Sequence, residues 1–257
     1  MDKTIDRIIK DKIRCFFISP HQDDAIFSAG GLISYLASRT EVVIVNVFDG
    51  CGDVPYTLSA RTFAKQCGYK KICDLSLQRH IEDREVAKTL NVSLIDLGFD
   101  DAVFRKRKVN NKFLLGVGKV VPEILHIYPI YRLNIRRGKI STQDKELMYI
   151  LKKRLKEVVN KDRDIVFCPM SVGGHVDHRI VKKVCQDVFK NAFFWMDYPY
   201  VLSAVNKERL FSQKYSCFSF DPDWKFKESM IKGYKSQYYA IFKNGIKRIS
   251  EMYFRFK

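Results

Sequence analysis

The chain has 257 residues, 46% of them hydrophobic, and its 46 Lys and Arg against 29 Asp and Glu give a formal charge of +17. With only 13 Gly and 7 Pro it is neither collagen-like nor disordered in composition. Its longest apolar runs, 42–47 and 165–167, fall far short of the ~20 residues that cross a bilayer.

One domain spanning 1–257 is expected, large enough to bury a sizeable core. The first residues, Met1-Asp2-Lys3-Thr4, carry no apolar h-region, so a cytoplasmic protein is expected. The seven cysteines are scattered without a C-x-x-C pair, which suits buried thiols in a reducing compartment.

Residues 13–19 form a short apolar run closed by Pro20, and 42–48 form a second run rich in β-branched residues; both read as buried strands. Between them Ile26, Gly30, Ile33 and Leu36 fall at helical spacing over 25–38, which completes a right-handed parallel crossover. The alternation continues with a helix over 77–90, a strand over 92–97, a helix over 145–159, a strand over 165–169, a helix over 179–189 and a strand over 192–196. This predicts an α/β fold with a Rossmann-like, doubly wound and mostly parallel sheet. Residues 105–144 break the pattern and read as an inserted lid. Residues 224–257 read as a helical C-terminal segment, with Met230, Ile231, Tyr234, Tyr238 and Ile241 on one side.

Two clusters carry chemistry. His21-Gln22-Asp23-Asp24 directly follows the first strand, at the carboxyl edge where open α/β sheets form their sites. His21 and Asp24, three apart on that turn, can aim at one metal ion, whereas a purely structural Asp23 or Asp24 would cap the helix. Gly173-Gly174-His175-Val176-Asp177-His178 follows a later strand in the same way; one of its histidines can bind metal while the other faces a substrate, and Asp177 can serve as a cap. Two such clusters at one sheet edge point to a shared mononuclear site.

The motifs resemble those of the zinc-dependent N-acetylglucosaminyl deacetylases of the PIG-L and LmbE-like family. His21-Gln22-Asp23-Asp24 with Gly30-Gly31-Leu32 matches the family's His-Pro-Asp-Asp segment, and His175-Val176-Asp177-His178 matches its His-Pro-Asp-His. Arg79-His80-Ile81-Glu82, Leu97-Gly98-Phe99-Asp100-Asp101 and Tyr234-Lys235-Ser236-Gln237 extend the likeness over most of 13–240. Gln22 and Val176 stand where the family has proline, a departure that removes no ligand.

The resemblance implies that His21, Asp24 and His178 hold zinc, that Asp23 is the general base, and that His175, as an imidazolium, stabilises charge or protonates the leaving amine. The implied reaction is hydrolysis of an N-acetyl group from an N-acetylglucosamine-type conjugate to acetate and a free amine. Ligand type alone admits ferrous iron as well as zinc. Arg79 and Asp101 are candidate contacts to sugar hydroxyls or anions, against surface salt bridges, and Trp195, Tyr198 and Tyr200 are candidates to line the mouth of the pocket.

A metal-dependent phosphoesterase is the alternative enzyme, but such sites often hold two ions and the obvious ligands suffice for one. A basic nucleic-acid-binding protein would explain the charge and leave both histidine clusters unexplained, so no nucleic-acid partner is expected. The charge excess lies in 105–161, with 16 basic and 4 acidic residues, and in 225–257, with 9 and 2. It points to a phosphorylated or lipid-linked substrate, and the basic amphipathic segment 241–257 is expected to lie as an interfacial helix, peripheral on the anionic inner face of a membrane. A homo-oligomer is compatible with the sequence.

Overall fold

The computed structural model describes residues 2–136, 138–203 and 215–256. Arg137 and Lys257, which belong to the two basic segments, lie outside the described residues.

The chain forms a seven-stranded sheet. β1 (Cys15–Ser19), β2 (Val42–Asn46), β3 (Ser93–Asp96), β4 (Ile165–Pro169) and β5 (Phe193–Trp195) are followed by β6 (Tyr215–Phe220) and β7 (Glu251–Phe256), in spatial order β3-β2-β1-β4-β5-β7-β6. The first five strands run parallel and β7 is antiparallel to both its neighbours. β1 lies between β2, with Ser19 opposite Asn46, and β4, with Phe17 opposite Phe167. The chain therefore leaves β1 to one side and later returns to the other, which opens a crevice at the carboxyl ends of β1 and β4.

The flanking helices are α1 (Lys3–Lys10), α2 (Asp24–Ala37), α3 (Leu58–Gln66), α4 (Ile72–Leu90), α5 (Lys112–Val120), α6 (Lys145–Val158), α7 (Val176–Val188), α8 (Trp224–Gly233) and α9 (Lys235–Ile241). α2 is apolar almost all round because it lies between the sheet and α8, and Gly31 is required there: a Cβ would come within 2.3 Å of Pro222. Phe17, Phe167, Trp195 and Tyr253 are fully buried at the centre of the sheet, with Phe17 and Phe167 stacked at 4.6 Å. Among the described residues no helix is long and apolar enough to cross a membrane.

The strands and helices expected from periodicity are present within about five residues, α4 beginning five residues and α7 three residues before the expected starts. Helices α1, α3 and α5 and strands β6 and β7 were not anticipated. Residues 105–144 hold α5, 3-10 turns at Pro122–Leu125 and Thr142–Asp144, and a π turn at Tyr131–Ile135. The C-terminal expectation is corrected. Helicity stops at Ile241, Gly245 takes a positive φ of 74°, and Glu251–Phe256 becomes a strand, so 241–257 is not an interfacial helix. The physical reason is burial: Tyr253 stacks on Phe218 and meets Phe167, while buried Glu251 accepts Lys227 Nζ at 2.6 Å and the Gly31 amide at 2.8 Å.

Candidate active site

The two histidine motifs meet across the crevice between β1 and β4. After β1 the chain turns through 20–23 into α2; the His21 amide donates to Asp24 Oδ2 at 3.0 Å, and His21 Nδ1 lies 2.9 Å from the same oxygen. Asp23 occupies the N-cap position but makes no side-chain cap bond, which leaves its carboxylate for the cleft. After β4, Gly173 and Gly174 adopt φ of 94° and 79°, a left-handed path closed to most side chains, and deliver His175 to the N-cap of α7. There Nδ1 of His175 accepts the Asp177 amide at 3.3 Å, which fixes the ring as the tautomer with hydrogen on Nε2.

His178, one turn into α7, is almost wholly buried. Its Nδ1 lies 2.6 Å from Asp197 Oδ1, while Oδ2 of Asp197 accepts the Val172 amide at 2.7 Å. Its Nε2 lies 3.1 Å from Asp24 Oδ2 outside hydrogen-bonding geometry and is a buried nitrogen with no hydrogen-bond partner. The three rings converge, with centroids 5.1 Å apart for His21 and His175, 5.6 Å for His21 and His178, and 5.3 Å for His175 and His178.

Donor atoms of His21, Asp24 and His178 lie within 4.8 Å of one another, as do those of His21, His175 and Asp177. The first set suits a divalent ion better. Asp177 already spends its charge on buried Arg105, accepts the Ala102 amide at 2.9 Å and meets His21 Nε2 at 3.2 Å, and His175 Nδ1 is occupied. His178 Nε2, by contrast, is unpartnered and its opposite nitrogen is anchored by a carboxylate, the usual arrangement of a metal-ligating histidine.

Electrostatics agree with a site made for positive charge. Burial alone would depress His178, but Asp24 and Asp197 lift it to about 10. Burial opposes ionisation of Asp24, yet His178 and His21 hold its carboxyl well below the usual range. Burial and the adjacent Asp24 push Asp23 up to about 6, against the pull of Arg79. Burial pushes His175 down to about 3, toward the neutral ring and away from the imidazolium expected from the sequence.

Arg79 and Asp101, read from sequence as substrate contacts or surface ion pairs, are both buried in the wall of the cleft. An Arg79 guanidinium nitrogen stands 3.9 Å from Asp23 Oδ1, and Arg79 Nε has no partner. Asp101 lies 3.4 Å from His21 Nε2. With Asp23, His175, Tyr131, Tyr200 and Gln237 they surround a cavity of about 100 Å³, room for a small acyl group or a few waters. Trp195 and Tyr198 do not line it; both are buried elsewhere. Ser236 bonds Glu82 at 2.7 Å and serves packing, while its neighbour Gln237 faces the cavity.

Sequence reasoning missed Asp197, Arg105 and Tyr131. Asp197 stands two residues past the end of β5, and that sheet-edge position was a usable signal. Arg105 was hidden as the first residue of an apparent surface run, Arg105-Lys106-Arg107-Lys108, although it is buried against Asp177 and Asp144.

Comparison with solved structures finds the same architecture. A teicoplanin-bound deacetylase from teicoplanin biosynthesis superposes with a TM-score of 0.69 at 20% identity, covering 94% of this chain and 97% of that one. The A40926 pseudoaglycone deacetylase gives 0.64 at 20% identity over 95% and 97%. N,N'-diacetylchitobiose deacetylase from Pyrococcus horikoshii gives 0.52 at 17% identity over 94% and 80%. No curated protein sequence matches significantly. The family model for PIG-L, GlcNAc-PI de-N-acetylase, matches residues 16–189, and the chain thus belongs to the PIG-L family.

Proposed function

We propose that the cleft hydrolyses the N-acetyl group of an N-acetylglucosamine-type conjugate, releasing acetate and a free amine. The observation that carries this reading is His178 Nε2, which makes no hydrogen bond of good geometry and faces Asp24 Oδ2 at 3.1 Å while Asp197 anchors Nδ1, beside the carboxylate of Asp23. His21, Asp24 and His178 would hold one divalent ion, zinc or with the same donor types ferrous iron. When bound, the ion supplies Lewis acidity to the amide carbonyl and lowers the pKa of water to ~7.

Asp23 acts as general base. Its raised pKa, about 6, places it close to neutral pH, where a base can take the proton of the attacking water and later hand it to the leaving nitrogen. His175, neutral with hydrogen on Nε2, donates that N–H to the oxygen on which charge develops. Its partner Asp177 keeps this orientation through the backbone, and Arg105 holds Asp177 in turn. Arg79 and Asp101 offer a donor and an acceptor for sugar hydroxyls at the rim of the cavity.

A conjugate carrying an anionic or lipid-linked group suits Arg79 and the basic 105–144 segment, which reaches the cavity through Tyr131 and acts as its lid. The neighbouring enzymes are named as deacetylases of A40926 pseudoaglycone and of N,N'-diacetylchitobiose. The test is acetate release from a panel of GlcNAc conjugates with and without added zinc or ferrous iron. Metal-dependent release from at least one conjugate is expected, and no release from any of them under either metal contradicts the reading.

A further inference from the structure

The surface beside the mouth of the cleft is built the wrong way round for water. Along α5, Phe113, Val117 and Val120 recur at i, i+4 and i+7, the spacing of one helix face, and Phe113 is 76% and Val120 83% exposed. Gly118 is the only residue of the helix that is buried, packed against Leu125 so closely that a Cβ would meet it at 2.3 Å. A helix of a water-soluble domain turns its apolar stripe inward. α5 turns its stripe outward, with Lys112 and Lys119 on the flank.

Hydrogen bonds tie this region to the segment that lines the cleft. The amide of exposed Leu58 donates to Glu123 just beyond α5, Ser59 Oγ donates to the Pro129 carbonyl at 3.0 Å, and Ser59 Oγ accepts the Tyr131 amide at 3.3 Å. Ile130 and Leu133, each 49% exposed, flank Tyr131, whose ring is in the cavity wall. Exposed apolar surface of this extent marks an interaction site. Its setting is cationic, since within 105–133 Arg107, Lys112, Lys119 and Arg132 are exposed and Glu123 is the one acidic residue. A second copy of the same face would bring like charge against like charge. An anionic bilayer satisfies both features, taking the apolar ridge at the acyl boundary and the lysines among its headgroup phosphates.

We propose that α5 and the adjoining loop at 130–133 form a peripheral docking surface for an anionic lipid bilayer, which sets the mouth of the cleft against the headgroups. Docking goes beyond the deacetylase reading and stands or falls separately from it.

The test is co-sedimentation of the full chain with phosphatidylcholine vesicles and with mixed phosphatidylcholine–phosphatidylglycerol vesicles, at low and high salt. Partition onto the mixed vesicles is expected to exceed that onto neutral ones and to weaken with salt. Lys112→Gln and Lys119→Gln should each reduce it about fivefold. Phe113→Ser with Val120→Ser, at positions 76% and 83% exposed, should abolish it while the circular-dichroism spectrum and the melting temperature stay those of the parent chain. Equal binding to both vesicle types, full binding by the serine variant, or a dimer in solution that the serine variant dissociates would each overturn the proposal. A chain that docks on anionic vesicles and releases acetate from no conjugate upholds docking and rejects the reading of the cleft.

Discussion

Asp197 never touches the cavity, yet its replacement is expected to weaken metal binding. Its Oδ1 holds His178 Nδ1 at 2.6 Å and its Oδ2 accepts the Val172 amide at 2.7 Å, so both oxygens are used and the group is buried. In Asp197→Asn the volume is kept, and the carbonyl oxygen must stay on the Val172 amide because that backbone donor has no other partner. The new NH2 then faces His178 Nδ1, which has to accept, and the neutral ring carries its hydrogen on Nε2, the atom that would bind the ion. The variant must either break that arrangement or leave an orphaned donor. Loss of such an outer carboxylate costs 10- to 100-fold in metal affinity, or ~1.4–2.7 kcal/mol. Titration of the apoprotein with zinc in competition with a chelator measures this directly, and kcat at saturating metal should fall much less than the affinity. A dissociation constant identical to that of the parent protein would refute the assignment of His178 Nε2 as a ligand.

Asp23→Asn should keep its metal and lose a factor of 10² to 10⁴ in kcat, since a carboxamide of the same volume cannot accept the water's proton; near-normal acetate release would place the base elsewhere. His175→Ala should lower kcat by 10² or more with metal content unchanged, as expected for removal of one donor to a developing oxyanion; parallel loss of metal would make His175 a ligand. Asp83, behind the site, is pushed up to about 7 by burial, although Tyr234 and Asn46 donate to it and pull the other way. A carboxyl raised in the folded state keeps a proton there that the unfolded chain releases near pH 4, so it subtracts stability as pH rises from about 4 to about 7. Urea denaturation across that window should show a decline that Asp83→Asn flattens, and an unchanged slope in the variant would show that Asp83 is ionised throughout.

What could be read from the sequence was what depends on short-range pattern. β1, β2 and β4 are buried on both faces, so they appear as nearly unbroken apolar runs, and the motifs that follow β1 and β4 can be located at one sheet edge from the sequence. β7 was illegible for the opposite reason. Its alternation, Met252-Tyr253-Phe254-Arg255-Phe256, is short and flanked by lysines and arginine, which suits an interfacial helix equally well. The choice is made by the turn from Phe242 to Gly245, which follows the end of α9 at Ile241, and by the edge of β5, a partner more than fifty residues away in sequence. The site residues divide in the same way. His21, Asp23, Asp24, His175 and His178 sit in two compact motifs, whereas Asp197 and Arg105 act through contacts with His178 and Asp177 that only the folded sheet brings within reach. The downward push on the His175 pKa comes from its burial, which composition cannot show. The exposed ridge of α5 was equally hidden, because apolar residues at helical spacing ordinarily mark a core-facing stripe.

The central claim is that one metal ion held by His21, Asp24 and His178 is required for amide hydrolysis in this cleft. Its most direct test is to strip the chain with a chelator, then follow acetate release from a GlcNAc conjugate as zinc or ferrous iron is returned, with His178→Ala alongside. The account predicts no release from the stripped protein, recovery that saturates at about one ion per chain, and no recovery for His178→Ala at the same metal concentration. Acetate release at the full rate from the stripped protein, or full recovery of the alanine variant with one bound ion, would contradict it.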